Sequence, residues 1–352
     1  MRIAILSWRD TAHPQAGGSE LVIDRLAEGL TERNHQVTLL HGGPSAEHDY
    51  PAFRTGGDFT QYVLAPFTFW RRARDTEVLI DLENGIPFFS PLWQRRPVVC
   101  MILHIHVDQW SMRFPRPIST FGRWLETRVM PFVYRHATFA TISPSTTEAL
   151  QKLGIRAGAI TTLELGIDFH PLEPKPSHEP RFVILGRLVP HKRIDLALRM
   201  WERVRPEIGG ALVIIGDGPE LERLKAMSVR GVEFLGRVDE QQKRDELARA
   251  WLLIHPAHHE GWGMVVMEAA VASVPTLAFD VPGVRDSVQD GVTGVLVDVE
   301  DEFVAEWIAL AKNNPRRHAM ALEARNRAAM FTWSRTLDSL ESLLKEVQGQ
   351  VK

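Results

Sequence analysis

The sequence predicts two doubly wound α/β domains facing a cleft, each built on a parallel sheet. Three observations lead there. At 352 residues the chain exceeds a typical single domain. Strand, loop and helix patterns recur through both halves. A proline-rich stretch without apolar period, FHPLEPKPSHEP at 169–180, interrupts them as a linker. The expected division is 1–168, the linker 169–180, 181–333, and a C-terminal helix in 334–352 that can pack on either domain.

The first half opens with a strand at Ile3–Ser7, a loop, and an amphipathic helix from about Ser19 to Arg33 with Ser19 as its cap. A strand at Val37–His41 completes a βαβ unit. EVLIDLEN, PVVCMILHIH and FATISPS continue the sheet, the last leading into a helix at Thr146–Leu153. After the linker, RFVILGRL, ALVIIGDG, VEFLGRV, LLIHPA, VPTLAFD and TGVLVD read as strands. Helices are expected in DLALRMWERV, PELERLKAM, Glu240–Ala250, Met264–Ala272 and Ser334–Val347.

Composition narrows the function. Forty-four per cent hydrophobic and 24% charged residues suit two packed cores, and a net charge of −3 argues against a dedicated nucleic-acid binder. The single cysteine, Cys100, excludes an intrachain disulfide and a multi-cysteine zinc site. MRIAILSW does not read as a signal peptide, and no apolar run is long enough to cross a bilayer, so a cytoplasmic protein is expected.

In open parallel sheets ligands bind beyond the carboxyl ends of the strands, so the loops there matter most. Arg187 and Lys192 in GRLVPHKR are two cations placed to meet a diphosphate, or else a solvated basic turn. GDGPE, with Gly216, permits close backbone approach; it lacks the third glycine of a dinucleotide fingerprint, which counts against an NAD-dependent oxidoreductase. In HHEGWGMVVMEAA, Glu260 ends a loop, and Gly263, Met264 and Val265 open a helix whose free N–H groups favour an anion. Glu268 lies inside that helix on an apolar face, where it needs a basic neighbour or a ligand. Cations and helix N–H groups flanked by carboxylates fit one ligand, a nucleoside diphosphate sugar.

The ordered set GRLVPHKR, IIGDGPE, VEFLGRV and HHEGWGMVVMEAAVASVPTLAFDVPGVRDSVQDGVTGVLV resembles the retaining glycosyltransferases of family 4, which have the GT-B architecture. GGSE in the first loop and RHATFATISPSTTEALQKLGI resemble the family's first domain. The resemblance implies that the first domain binds the acceptor and the second the nucleotide sugar. It implies that Glu260 contacts the donor sugar, Glu268 the ribose, and Arg187 with Lys192 the diphosphate. Gly17 and Gly18 would lie close to the phosphate, Arg237 and Val238 near the base, and His104 at the reacting centre. The activity implied is transfer of a hexose from a UDP- or GDP-linked donor to a hydroxyl on a glycan, glycolipid or metabolite. Configuration would be retained by same-face attack, with no metal and no cofactor beyond the donor. A nucleotide-sugar epimerase or hydrolase and a non-catalytic nucleotide-sugar binder are the alternatives.

LHIHVDQW leaves a choice. Alternating His104, His106 and Asp108 at a strand end would share one side. Either histidine could reach the sugar, the three could hold a metal, or the histidines could simply be hydrogen-bonded in the cleft wall. Asp298–Asp301, DVED, reads as a loop and RRAR at 71–74 as a solvated helix face or a membrane-facing patch. The segment Phe114–Tyr134 mixes aromatics with arginine; it suits a core helix, an acceptor groove or contact with the inner membrane face.

Overall fold

The computed structural model describes residues 1–170 and 172–349. The chain forms two compact units, Met1–Gly166 with the segment from Trp333 onward, and Ile167–Thr332. The first unit runs β1 (Arg2–Ser7), α1 (Gly18–Glu32), β2 (Gln36–Gly42), β3 (Ala52–Gly56), α2 (Gln61–Arg72), β4 (Val78–Glu83) and β5 (Val98–Ile102). It continues through α3 (Val107–Arg113), α4 (Arg116–Trp124), α5 (Met130–Val133), β6 (Thr138–Thr141), α6 (Pro144–Lys152) and β7 (Ile160–Thr162). Its strands are parallel in the order β3-β2-β1-β4-β5-β6-β7.

The second unit runs β8 (Arg181–Leu185), α7 (Ile194–Ile208), β9 (Ala211–Ile215), α8 (Leu221–Ala226), β10 (Val232–Gly236), α9 (Glu240–Arg249) and β11 (Leu252–His255). Then follow α10 (Met264–Val271), β12 (Thr276–Phe279), α11 (Val284–Ser287), β13 (Gly294–Val297), α12 (Glu300–Lys312) and α13 (Asn314–Ala328). The sheet order is β10-β9-β8-β11-β12-β13, again parallel. The last helix, α14 (Trp333–Gly349), belongs to the first unit. There Leu337 packs over Gly29 of α1, and Arg33 bonds Asp338 at 2.6 Å.

Helices on both faces explain why the strands read as unbroken apolar runs. In the second unit, Phe182 of β8 meets Trp201 of α7 and Trp307 of α12 at centroid separations of 5.6 and 5.4 Å, filling one face. Val183, Val213, Leu253 and Val266 fill the other. In the first unit Asp81 lies in the middle of buried β4 and is partnered: the Ser90 and Tyr134 hydroxyls each donate to it at 2.5 Å. Burial pushes the Asp81 carboxyl up despite those bonds.

Several local expectations need correction. Gly17, not Ser19, caps α1, because the Glu20 carboxylate accepts the Gly17 N–H at 2.8 Å and starts the helix earlier. Pro219 precedes α8 and is not in its first turn, since the cap is Glu220. DVED is only half loop: Glu300 and Asp301 begin α12, where acidic side chains favour the positive end of the helix dipole. Strands β3 and β7 and helices α12 and α13 carry no separate expectation in the sequence; the strands are 5 and 3 residues long, too short for a periodic signal. His104, His106 and Asp108 do not alternate along a strand. β5 ends at Ile102, His106 caps α3, and Asp108 lies in its first turn.

Candidate functional site

In the second unit the chain order reverses between neighbouring strands β8 and β11. The loops leaving those two strands must part there and open a crevice. Lys192 stands on the loop after β8 and Glu260 on the loop after β11, and the Lys192 ammonium donates directly to a Glu260 oxygen. His255, the last residue of β11, brings Nε2 to 3.2 Å from the same oxygen. Burial alone would raise the Glu260 pKa, but Lys192 and His255 hold it well below the usual carboxylate range. Burial lowers the His255 pKa, outweighing the raising effect of the Glu260 carboxylate beside it.

Backbone contacts fix these loops to one another. Leu188 N–H donates to Asp217 O at 2.8 Å and Glu220 N–H to Leu188 O at 3.1 Å, joining GRLVPHKR to GDGPE. His258 N–H donates to His191 O at 2.9 Å, joining the first of these to HHEGWG. Gly216 is required: its φ is +142°, and a Cβ would stand 1.9 Å from Gly186 O. Gly283 plays the same part beneath the Glu260 loop, with a Cβ position 2.4 Å from Glu260 O. Buried Trp262 anchors that loop against Phe331, at a centroid distance of 5.1 Å.

Gly263 caps α10 in the left-handed region at φ +81°, leaving the first N–H groups, including those of Met264 and Val265, without intrahelical acceptors. Glu268, on the second turn of α10, receives Lys243 Nζ at 2.6 Å. Lys243 also lies 2.8 Å from Glu240. Burial raises the Glu268 pKa and outweighs the lowering effect of Lys243. Arg187 is exposed beyond β8, while Arg237 is exposed and Val238 partly buried beyond β10. Thus the structure joins Lys192 directly to Glu260, and Glu268 to a lysine 25 positions earlier that the sequence does not single out. His255 was equally illegible; its only signal was a histidine closing an apolar strand.

The first unit has its own reversal, between β1 and β4. Gly17 and Gly18 open α1 on the segment after β1. His104 and His106 follow β5, their rings 4.0 Å apart. His106 does meet acidic groups, but they are Glu83 and Glu126, not Asp108: ligand atoms of the three lie within 4.8 Å of one another. Glu126 sits on a π-helical turn, Leu125–Val129, which directs it inward. It accepts the His106 N–H and, at 3.0 Å, Trp110 Nε1–H. Burial pushes the Glu126 pKa up to about 7, and burial beside Glu126 pushes Glu83 well above the carboxylate range. Such a cluster is held by protons or by a cation; Asp108 takes no part in it.

With this geometry in view, similarity to known proteins becomes specific. Residues 168–327 match the family profile "Glycosyl transferases group 1", and residues 16–170 match "Glycosyltransferase Family 4". A D-inositol 3-phosphate glycosyltransferase of Thermobispora bispora is 28% identical over 221 residues, 54% of this chain and 51% of that protein. The chain therefore spans about half the length of that relative. A GDP-mannose-dependent alpha-(1-6)-phosphatidylinositol monomannoside mannosyltransferase of Mycobacterium tuberculosis is 29% identical over 94% of this chain and 88% of that protein. Sucrose-phosphate synthase from Thermosynechococcus elongatus superposes with a TM-score of 0.85 at 17% identity, covering 99% of each chain.

Proposed function

The chain belongs to the family 4 glycosyltransferases, the glycosyl transferases group 1 with the GT-B fold, and from that premise we propose that it transfers a hexose from a UDP- or GDP-sugar to a hydroxyl acceptor with retention of configuration. The observation that carries this reading is the Lys192–Glu260 pair at the switch point of the second unit, beside the open N-terminus of α10.

Cleaving the sugar–phosphate bond leaves positive charge on the sugar and a second negative charge on the terminal phosphate. Lys192, Arg187 and the first N–H groups of α10 stabilise the departing diphosphate. They are in place beforehand, so little reorganisation is needed as charge develops. Glu260, kept ionised, accepts hydroxyls of the donor sugar; Glu268 accepts those of the ribose. Gly216 holds the loops that border the diphosphate, and Arg237 and Val238 border the base. By the family resemblance, the first unit, with Gly17, Gly18 and His104, binds the acceptor. The acceptor hydroxyl attacks the face the diphosphate leaves, and the departing oxygen takes its proton. The lysine and arginine provide the cationic charge, so no metal is required by this scheme.

The relatives support a nucleotide-sugar donor: the mycobacterial protein is named as GDP-mannose-dependent. The test is release of nucleoside diphosphate from a panel of UDP-, GDP-, TDP- and ADP-sugars, with and without a cell-envelope and metabolite extract. Extract-dependent release from one donor, abolished by Glu260→Gln, is expected. Release without extract points to epimerase or hydrolase chemistry, and no release overturns transfer.

A further inference from the structure

We propose that the first unit docks on an anionic lipid surface through an aromatic and arginine-rich face on α2 and α4, with the cavity between them taking an apolar chain of the lipid. The acceptor it serves would then be carried by lipid; only that corollary rests on the transferase reading.

The face is apolar where a soluble helix should be polar. On α2, Val63, Phe67 and Trp70 follow one another at helical spacing and are 69%, 71% and 57% exposed. On α4, Ile118, Phe121 and Trp124 do the same at 51%, 57% and 51%. The start of α2 and α4 border one cavity, and exposed large side chains in helical register on both helices call for a partner. Phe114–Tyr134 is therefore not the core helix that its apolar content suggests: its π-helical turn buries Glu126, and Tyr134 is buried, but Phe114, Phe121, Trp124 and Phe132 stay outside.

Charge selects the partner. Arg71 and Arg72 end α2, and Arg116, Arg123, Arg128 and Arg135 are exposed along the other segment. From Trp110 to Arg135 the only acidic residue is Glu126, which is fully buried, and α2 contains none. A second copy meeting this face in a two-fold dimer would set arginine against arginine. An anionic bilayer instead offers phosphates to the arginines and hydrocarbon to the aromatics, whose rings favour the interface.

A cavity of about 290 Å³ opens in this face. Phe59 and Tyr62 at the start of α2, and Ile118 and Phe121 of α4, line one side; Trp8 and Ile86 follow β1 and β4, the strands of the first unit's reversal. An apolar chamber at a switch point lies where an open α/β sheet receives its ligand. His106 reaches its wall, so a polar headgroup has a donor or acceptor next to the apolar space.

Sedimentation of the full chain with phosphatidylcholine vesicles, with and without phosphatidylglycerol, tests the proposal. Binding to the anionic vesicles is expected, weakening as salt rises. Phe121→Ser with Trp124→Ser should lower partitioning at least about tenfold. Arg123→Gln and Arg128→Gln, which leave every buried side chain untouched, should each lower it about fivefold on anionic vesicles and little on neutral ones. Ile86→Trp fills the cavity and should weaken binding to both. No binding to either vesicle overturns the proposal, as does binding indifferent to the Phe121/Trp124 change. A dimer dispersed by that change, in protein that ignores vesicles, assigns the face to a second copy. Unchanged binding of Ile86→Trp removes the cavity from the scheme. None of these readouts uses donor or turnover, so their failure and failure of the transferase reading are distinguishable.

Discussion

The Lys243 ammonium lies 2.6 Å from the Glu268 carboxylate, bringing α9 and α10 together at one end of the candidate donor site. The side chains are 18% and 24% exposed, so the pair is shielded without being cut off from solvent. Removing the lysine leaves a carboxylate facing burial with no cation. Lys243→Met should cost about 1–3 kcal/mol, below the value for a wholly buried pair because solvent still screens it. Lys243→Met with Glu268→Gln should cost less than the sum of the single changes, measured by denaturant unfolding. Additive losses would show that the two groups do not depend on each other.

Lys192 and Glu260 meet at the switch point, so their replacement touches both catalysis and folding. Lys192→Ala should lower kcat by about 10²–10³, the range for losing one preorganised stabilising group, and should also lower Tm, because the shielded Glu260 carboxylate loses its cation. It should also weaken binding of the free nucleoside diphosphate, whereas Glu260→Gln should affect intact donor more than free nucleotide. A chelator should leave the rate unchanged. Equal loss of nucleotide and donor affinity in both variants would contradict the division of roles.

Gly216 tests how far the site depends on backbone approach. Its alanine variant combines a strained φ of +142° with a Cβ at 1.9 Å from Gly186 O. The loop must shift, at a cost of about 2–3 kcal/mol. Thermal unfolding should show that loss and donor titration a weaker complex. A variant with unaltered Tm would mean the two loops separate freely.

Glu83 gives a pH signature. Its folded pKa is raised by burial and then by Glu126. Above the ordinary value of 4.5 the unfolded chain releases this proton while the folded chain keeps it. Stability from this group is thus fully present below that value and lost as pH rises, until the folded carboxyl also ionises. Glu83→Gln removes the loss: its Tm should match the native protein near pH 4 and exceed it by a few degrees at pH 8. An advantage that does not grow with pH would refute the assignment.

Much of this was readable along the chain. The loops around Arg187, Lys192, Gly216 and Glu260 each follow an apolar run and contain glycine or charge, a local pattern that marks the carboxyl end of a strand. What could not be read were partners supplied from elsewhere. Lys243 sits on a strongly polar helix and looks like a solvated charge, and His255 looks like the end of a strand. His104, His106 and Asp108 misled because alternation implies a shared face only while the strand lasts, and this one ends at Ile102.

The sequence by itself determined the two α/β sheets, the order of their βαβ units and the family, because hydrophobic period and loop composition are local properties. Only the tertiary structure decided that Lys192 bonds Glu260, that Glu268 faces Lys243, that His106 meets Glu83 and Glu126, and that the aromatics of α4 point outward. Each of those depends on strand order or on a helical turn such as the π segment at Leu125–Val129. A parallel sheet brings together residues far apart in the chain, and no local pattern records which of them will meet.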